Sequence, residues 1–255
     1  MKRSIAAAIV LLTASGPVMA VEERPQWGFS LASGPYQPGM GGNQAYYRDV
    51  YASENDHSLF THRPLMTTVE VDWYLATTFG LLGPFARFGY WKETAPTRVC
   101  ADASGQNRAC SSADILAGNS TAGTDQTQLT VFPMSVGGVY KFDLLKRYSQ
   151  VPLVPFVKAN LDYFGWRNTI GGSLSHHNGN AGFGATWGAE ASAGLALNLD
   201  WIEPQTARNG QSSVGLTDSY LFAEAHMLWI DGFGDKSRLD FSGSLIQIGL
   251  AVDFD

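Results

Sequence analysis

The sequence predicts an all-β fold, an eight-stranded antiparallel up-and-down transmembrane β-barrel. Eight segments alternate apolar and polar residues with a period of two, which is typical of strands whose faces meet different environments. Only 16% of the 255 residues are charged and 28 are glycine, whereas helical and disordered proteins usually carry more charge. The net charge of −6 excludes no membrane role but disfavours a nucleic-acid partner, which would need a basic surface.

Residues 1–20 have the three parts of a secretory signal peptide. Two basic residues come first, residues 5–14 are apolar, and residues 18–20 place small side chains where a signal peptidase cuts. The apolar stretch is too short for a transmembrane helix. We therefore predict that residues 21–255 form the barrel and that the mature chain works outside the cytosol.

Lipid, rather than water, is the solvent that the sequence predicts for the apolar faces. A soluble sandwich, or a soluble periplasmic or secreted barrel, also alternates. Here, however, most segments are longer than the five or six residues that are usual for soluble strands. Their polar faces contain few lysines, and aromatic residues lie near their ends, as at membrane interfaces. The predicted strands lie around residues 26–31, 68–75, 84–91, 132–140, 157–163, 186–198, 221–227 and 246–254.

The links between these segments alternate in length, as an up-and-down membrane barrel requires. We expect the odd links to be extracellular and the even links periplasmic, with both termini in the periplasm. The links span residues 34–66, 77–83, 93–125, 143–153, 167–181, 200–217 and 231–238.

A group of ionisable residues falls on the predicted inner faces. Such a group could form a polar pathway or gate, or an ion-pair network that fills a narrow lumen; we expect the network. Arg87 and Lys158 are the only strong cations expected inside, so each should contact a carboxylate. The group comprises Glu70, Asp72, Arg87, Lys158, Asp162, Glu190, Glu224 and His226.

One pair of residues, Glu224 and His226, could indicate an enzyme. Glu224 and His226 lie two residues apart on one strand face and could act as an acid–base pair on lipid, but the sequence identifies no nucleophile to go with them. We therefore expect a non-enzymatic protein, with a structural or surface role or a narrow passage for small solutes. A membrane-embedded enzyme acting on lipid is the alternative.

Cys100 and Cys110 are the only cysteines and both lie in the third link. Extracytoplasmic conditions favour a disulfide between them. A metal site is not expected, because no histidine or further cysteine lies nearby and because adjacent loop histidines such as His176 and His177 are usually solvated. We predict no cofactor.

The last strand resembles the C-terminal β-signal of outer-membrane barrels. Gln247, Gly249, Val252 and Phe254 match its order of polar, glycine, apolar and aromatic positions. The sequence departs from the pattern at Asp255, which follows the aromatic residue. The resemblance implies that the barrel assembly machinery is a partner and reads this strand by strand addition.

The mature chain also resembles small outer-membrane β-barrels of the myxobacterial type. The resemblance lies in Gly34-Pro35-Tyr36 and in residues 129–140, 154–158 and 220–224. The phrases Pro-Met-Ser-Val-Gly-Gly-Val-Tyr and Val-Pro-Phe-Val-Lys within two of these segments are similar to OmpW-like barrels. The resemblance implies the outer membrane of a Gram-negative-type envelope, with outer-membrane lipid as a partner, and implies no catalytic residue.

Replacing Phe254 with aspartate should impair insertion into the outer membrane. The charge removes an apolar anchor from the lipid face and disrupts the predicted β-signal. Membrane fractionation combined with a heat-modifiability gel measures the folded, inserted fraction. If Phe254→Asp protein is inserted at wild-type levels, the β-signal assignment is wrong.

Overall fold

The computed structural model describes most of the chain from residue 25 onward. The predicted signal segment and most of the first link lie outside the described residues. The described residues are 25–38, 63–77, 79–101, 106–110, 114, 117, 119–149, 151–177, 180–200, 202, 213, 215–235 and 238–255.

Eight long strands form a closed antiparallel barrel, which confirms the predicted fold class. Each strand pairs with the next along the chain, and the first also pairs with the last. No helix among the described residues is long and apolar enough to span a bilayer. The strands are β1 (Trp27–Pro35), β2 (Leu65–Trp73), β3 (Gly80–Ala101), β4 (Ser120–Lys141), β5 (Leu153–Ile170), β6 (Phe183–Asn198), β7 (Leu216–Trp229) and β8 (Gly243–Phe254).

Shorter elements lie at the two ends of the barrel. The segment Leu75–Thr77 extends the β2 side of the β2–β3 hairpin, and a six-residue helix, α1 (Leu144–Ser149), lies between β4 and β5. The link between β5 and β6 contains short strands, in which His176–His177 pairs with Asn180–Ala181. We call the end with Trp27 and Phe254 the lower end and the opposite one the upper end.

Closure of the barrel satisfies the backbone of its first and last strands. Seven residue pairs join β1 to β8, from Trp27 opposite Phe254 to Ser33 opposite Ile248. Neither strand therefore has an open edge, which a membrane would not tolerate because lipid offers no hydrogen bonds.

The outward-facing side chains of the barrel wall are mostly apolar, and polar side chains face inward along its middle. On β1, Trp27, Phe29 and Leu31 are 45–49% exposed, whereas Ser30 between them is 6% exposed. An apolar belt of this extent would promote aggregation in water. In a bilayer the same belt is the lipid contact, so the chain folds as a transmembrane β-barrel.

Aromatic pairs mark both borders of the apolar belt. At the lower end Trp27 stacks on Trp73, with ring centroids 5.5 Å apart. Higher on the wall Tyr163 meets Trp187 at 4.7 Å. Trp91 is one of the aromatic residues near the ends of the predicted strands, which we expected at a membrane interface. It is instead completely buried inside the barrel, because its position in the β3 alternation is an inward one.

The third link is shorter than the predicted 93–125. β3 continues to Ala101 and β4 begins at Ser120, so the pairing of the two strands extends well beyond the apolar belt. The alternation of apolar and polar residues ends at the border of the membrane, whereas backbone hydrogen bonds between strands can continue beyond it. The alternation therefore underestimates the length of these two strands. The predicted disulfide between Cys100 and Cys110 is present near the end of this hairpin.

Candidate functional site

The lumen is filled by three layers of side chains, and it is the candidate functional site. An upper apolar plug occupies the upper end, a central ion cluster the middle, and a lower ion cluster the end near the termini. The central ion cluster consists of Glu70, Arg87, Lys158, Asp162, Glu190, Glu224 and His226, all buried.

Lys158 on β5 holds two carboxylates that come from opposite sides of the barrel. Its Nζ donates to Glu70 Oε1 at 2.6 Å and to Glu224 Oε2 at 3.0 Å. The other Glu224 oxygen accepts from Ser192 Oγ at 2.5 Å. Since β2 and β7 are not sheet neighbours of β5, these bonds cross the lumen and block it.

Arg87 on β3 makes the second crossing. Its Nη2 donates to both carboxylate oxygens of Glu190 at 2.6 Å. Glu190 also contacts His226 Nδ1 at 2.8 Å, and Asp162 lies 3.8 Å from the same guanidinium. One arginine therefore connects β3 with β6 through charge-assisted bonds, the strong class of hydrogen bond, and lies within ion-pair distance of Asp162 on β5.

Neutral side chains donate hydrogen bonds to two carboxylates that accept none from a lysine or arginine among the described residues, Asp162 and Asp72. Asp162 accepts from Asn160 Nδ2 at 2.9 Å and from the Ser135 hydroxyl. Asp72, the remaining acid of the predicted group, lies below the central ion cluster and accepts from Tyr74 at 2.7 Å. All eight residues of the predicted group thus lie inside the barrel, but only seven belong to one cluster.

The lower ion cluster was not predicted. Lys141 Nζ lies 3.0 Å from Asp253 Oδ1 and 4.4 Å from the centre of the Tyr74 ring. Lys146 of α1 reaches Asp218. The expectation that Arg87 and Lys158 are the only strong cations inside is therefore wrong. Lys141 is the last residue of β4, one residue beyond the predicted strand, and Lys146 lies on a helix, where strand alternation gives no direction.

Below this cluster, Asp200 lies in the turn after β6. Its carboxyl accepts from the Ser219 hydroxyl at 2.6 Å. Burial is the main cause that raises the pKa of Asp200 above its ordinary value, and the neighbouring Asp218 adds to it. The lower rim thus gathers negative charge around one lysine from α1.

A cavity of about 20 Å³ separates the two ion clusters. Glu70, Asp72, Lys141 and Lys158 contribute to its lining, and the volume has room for about one water molecule. Glu70 Oε2 and Asp72 Oδ1 accept no hydrogen bond from a protein donor. The cavity is too small for a solute path.

The upper apolar plug closes the other end. Tyr36, just after β1, donates its hydroxyl to Phe241 O, and Trp91 Nε1 donates to Tyr36 O at 3.2 Å. Phe241 in turn packs against Phe164, with centroids 5.7 Å apart. The full plug is Tyr36, Met66, Trp91, Leu129, Val131, Phe164, Leu228, Ile230, Phe241 and Leu245.

The structure adds a serine to the histidine and glutamate of the central ion cluster. Ser192 on β6 lies opposite His226 on β7 in the strand register, and Glu190 orients the histidine through Nδ1. Nucleophile, base and orienting acid are the parts of a hydrolase triad. The serine hydroxyl, however, donates to Glu224 rather than to His226, and all three side chains are enclosed.

Two residues of the β-signal pattern have a structural role within the barrel. Gln247 Nε2 donates to Met66 O at 3.1 Å. A Cβ at Gly249 would lie 2.4 Å from Leu31 O and 2.7 Å from the Phe222 ring, so only glycine fits there. Val252 and Phe254 lie on the outward face of β8.

Among the described residues, no group of three or more His, Cys, Asp or Glu side chains is arranged to hold a metal ion. The side chains of His176 and His177 lie outside what the structure describes, although their backbone is part of a short hairpin.

No protein-family model matches the sequence, and no curated protein matches it. One solved structure with a similar chain trace is the N-terminal β-barrel domain of Pseudomonas aeruginosa OprF, at 11% identity over 90% of this chain and 98% of that one, with a TM-score of 0.39. Another is Ail, the attachment invasion locus protein of Yersinia pestis, at 8% identity over 91% of this chain and 99% of that one, also with a TM-score of 0.39. The outer membrane enzyme PagL also aligns, at 12% identity over 89% of this chain and 99% of that one, with a TM-score of 0.33. At these TM-scores we draw nothing about activity from the likenesses.

Replacing Arg87 with methionine should lower the free energy of unfolding by about 3–5 kcal/mol, because it leaves Glu190 and Asp162 buried beside no guanidinium. Urea unfolding in detergent micelles measures the change. The double variant Arg87→Met, Glu190→Gln should recover part of the loss. Arg147→Met on α1 is the control; an Arg87→Met loss no larger than the control's would contradict the network.

Proposed function

We propose that this chain is an outer-membrane barrel protein with a closed lumen and a structural or surface-interacting role rather than a catalytic one. The observation that carries the proposal is the combination of an apolar outer belt with a lumen crossed by Lys158 and Arg87. The belt supports residence in a bilayer, and the crossings support a rigid, non-conducting body.

The upper hairpin of β3 and β4 supports the surface role. These strands extend past the apolar belt, and their outward residues there include the polar Lys92, Thr94, Gln126 and Gln128. The Cys100–Cys110 disulfide limits the freedom of the hairpin end, which favours a defined contact surface. An extracellular position of this end, a periplasmic position of both termini and recognition of β8 by the barrel assembly machinery belong to the same proposal.

The proposal keeps the predicted family resemblance but not the predicted narrow passage for solutes. The myxobacterial-type and OmpW-like resemblance remains a prediction, supported by the phrases given above. A narrow passage for small solutes is disfavoured within our proposal, because a solute would have to break several buried ion pairs, each costly to open.

Reconstituted in planar bilayers, the protein should show no large, stable, porin-like conductance steps. The Trp91→Ala variant should also stay closed, because it opens only the upper apolar plug and leaves the central ion cluster in place. Single-channel recording tests both, with a trimeric porin as the positive control. Large steps from the wild-type protein would overturn the closed-lumen proposal.

A lipid-acting enzyme is the second candidate, and the facing positions of Ser192 and His226 favour it. If it were correct, purified protein would release fatty acid from phospholipid or lipid A in micelles. Ser192→Ala and His226→Ala would then each lower the rate by about 10³-fold or more, as is usual when a triad member is removed. Ser30→Ala, a buried lumen serine outside the central ion cluster, is the matched control. We expect no release from any of these proteins.

A further inference from the structure

The outer wall changes abruptly from apolar to cationic above the upper aromatic pairs. On β3 the outward residues Phe88 and Tyr90 are exposed, and the next outward residue is Lys92, also exposed. Lys92 is two residues, about 7 Å of strand, beyond Tyr90. On β5 the outward residue Arg167 follows Tyr163 in the same direction and is exposed.

Lys92 and Arg167 are brought together by the strand between them. Both pair with Thr130 of β4, Lys92 from one side and Arg167 from the other. Their Cα atoms are thus two strands apart, about 10 Å. Thr130 alternates with Phe132 on the outer face, yet it is only 2% exposed.

A recess of about 360 Å³ adjoins Arg167. Beside the arginine, its lining consists of Gln126, Gln128, Thr169, Gly171 and Gly172, all uncharged and rich in hydrogen-bond donors. The volume is in the range of small-ligand sites. A carboxylate, Asp125, lies beside Gly171, so the positive side of the recess is the Arg167 side.

Charge and position together select the ligand. The whole chain carries a net charge of −6, yet this stretch of wall presents two adjacent cations. Arginine and lysine with amide and hydroxyl donors are the groups that bind phosphate. Exposed apolar residues such as Phe88, Met134 and Leu161 continue downward from this site, which suits a phosphate attached to acyl chains.

We propose that Lys92, Arg167 and the adjoining recess bind the phosphate of a phosphorylated lipid in the outer leaflet. The inference rests on the proposed function for its orientation, since it places the upper end at the outer leaflet. The phosphate lies between the two cations, the head group enters the recess, and the acyl chains follow the apolar belt below.

Binding can be measured on purified, folded protein in detergent micelles by native mass spectrometry with diphosphorylated lipid A as the probe. Lys92→Gln and Arg167→Gln should each weaken binding about 5-fold and the double variant about 25-fold, from roughly 1 kcal/mol per cation near an anionic lipid surface. Arg147→Gln, which removes one charge at the opposite end, should leave the affinity unchanged. Lipid A with one phosphate removed should bind more weakly to the wild-type protein.

Three results would overturn the proposal: wild-type affinity in the double variant, an equal loss in Arg147→Gln, or displacement of lipid A by inorganic phosphate at equal concentration, which would indicate a small-anion site. Heat modifiability checks that each protein is folded. If a glutamine variant does not fold, Lys92→Arg and Arg167→Lys keep the charges and must keep binding within a few-fold. Because the binding assay needs no conductance or cellular location, its failure is distinguishable from failure of the closed-lumen proposal.

Discussion

An eight-stranded barrel leaves a lumen only as wide as the side chains that fill it, and the rest of this structure depends on that constraint. Every polar group that faces inward must find its partner across the lumen rather than in water. Among the described residues, seven carboxylates but only three lysines and arginines are buried there. Tyrosine, serine and asparagine side chains donate hydrogen bonds to the carboxylates in excess, as at Asp72 and Asp162, so the network contains more acids than cations.

The same narrow lumen decides which inner positions must lack a side chain. Phe156 and Phe222 pack edge to face, 6.0 Å apart, between the two ion clusters. A Cβ at Gly194 would lie 2.3 Å from the Phe156 ring, and one at Gly249 would lie 2.7 Å from the Phe222 ring. These glycines make room for the aromatic pair, so a glycine that matches a C-terminal sorting pattern also has a packing role.

The buried residues of the lumen and the exposed outer surface differ in what they can contact. Glu190 and His226 have the geometry of an acid–base pair, but their burial denies access to any lipid substrate held at the outer wall. Within the proposed function, interaction with other molecules falls to the outside of the barrel, which offers an apolar belt, a long disulfide-bonded hairpin and a cationic stretch of wall. A rigid interior supports such surfaces by holding their strands in fixed positions.

The sequence by itself determined the strand number, the face on which the side chains of the predicted strands lie and the nature of the solvent at the apolar face, because these follow from a period-two alternation that is local. It assigned Glu224 and His226 to the inner face without structural information. It could not show that Arg87 meets Glu190 or that Ser192 faces His226, because those contacts depend on register and on closure between β1 and β8. The sequence analysis missed Lys141 because β4 continues one residue beyond the predicted strand. It missed Lys146 because the direction of a side chain on a short helix depends on how that helix packs against the barrel, and only the tertiary structure contains that information.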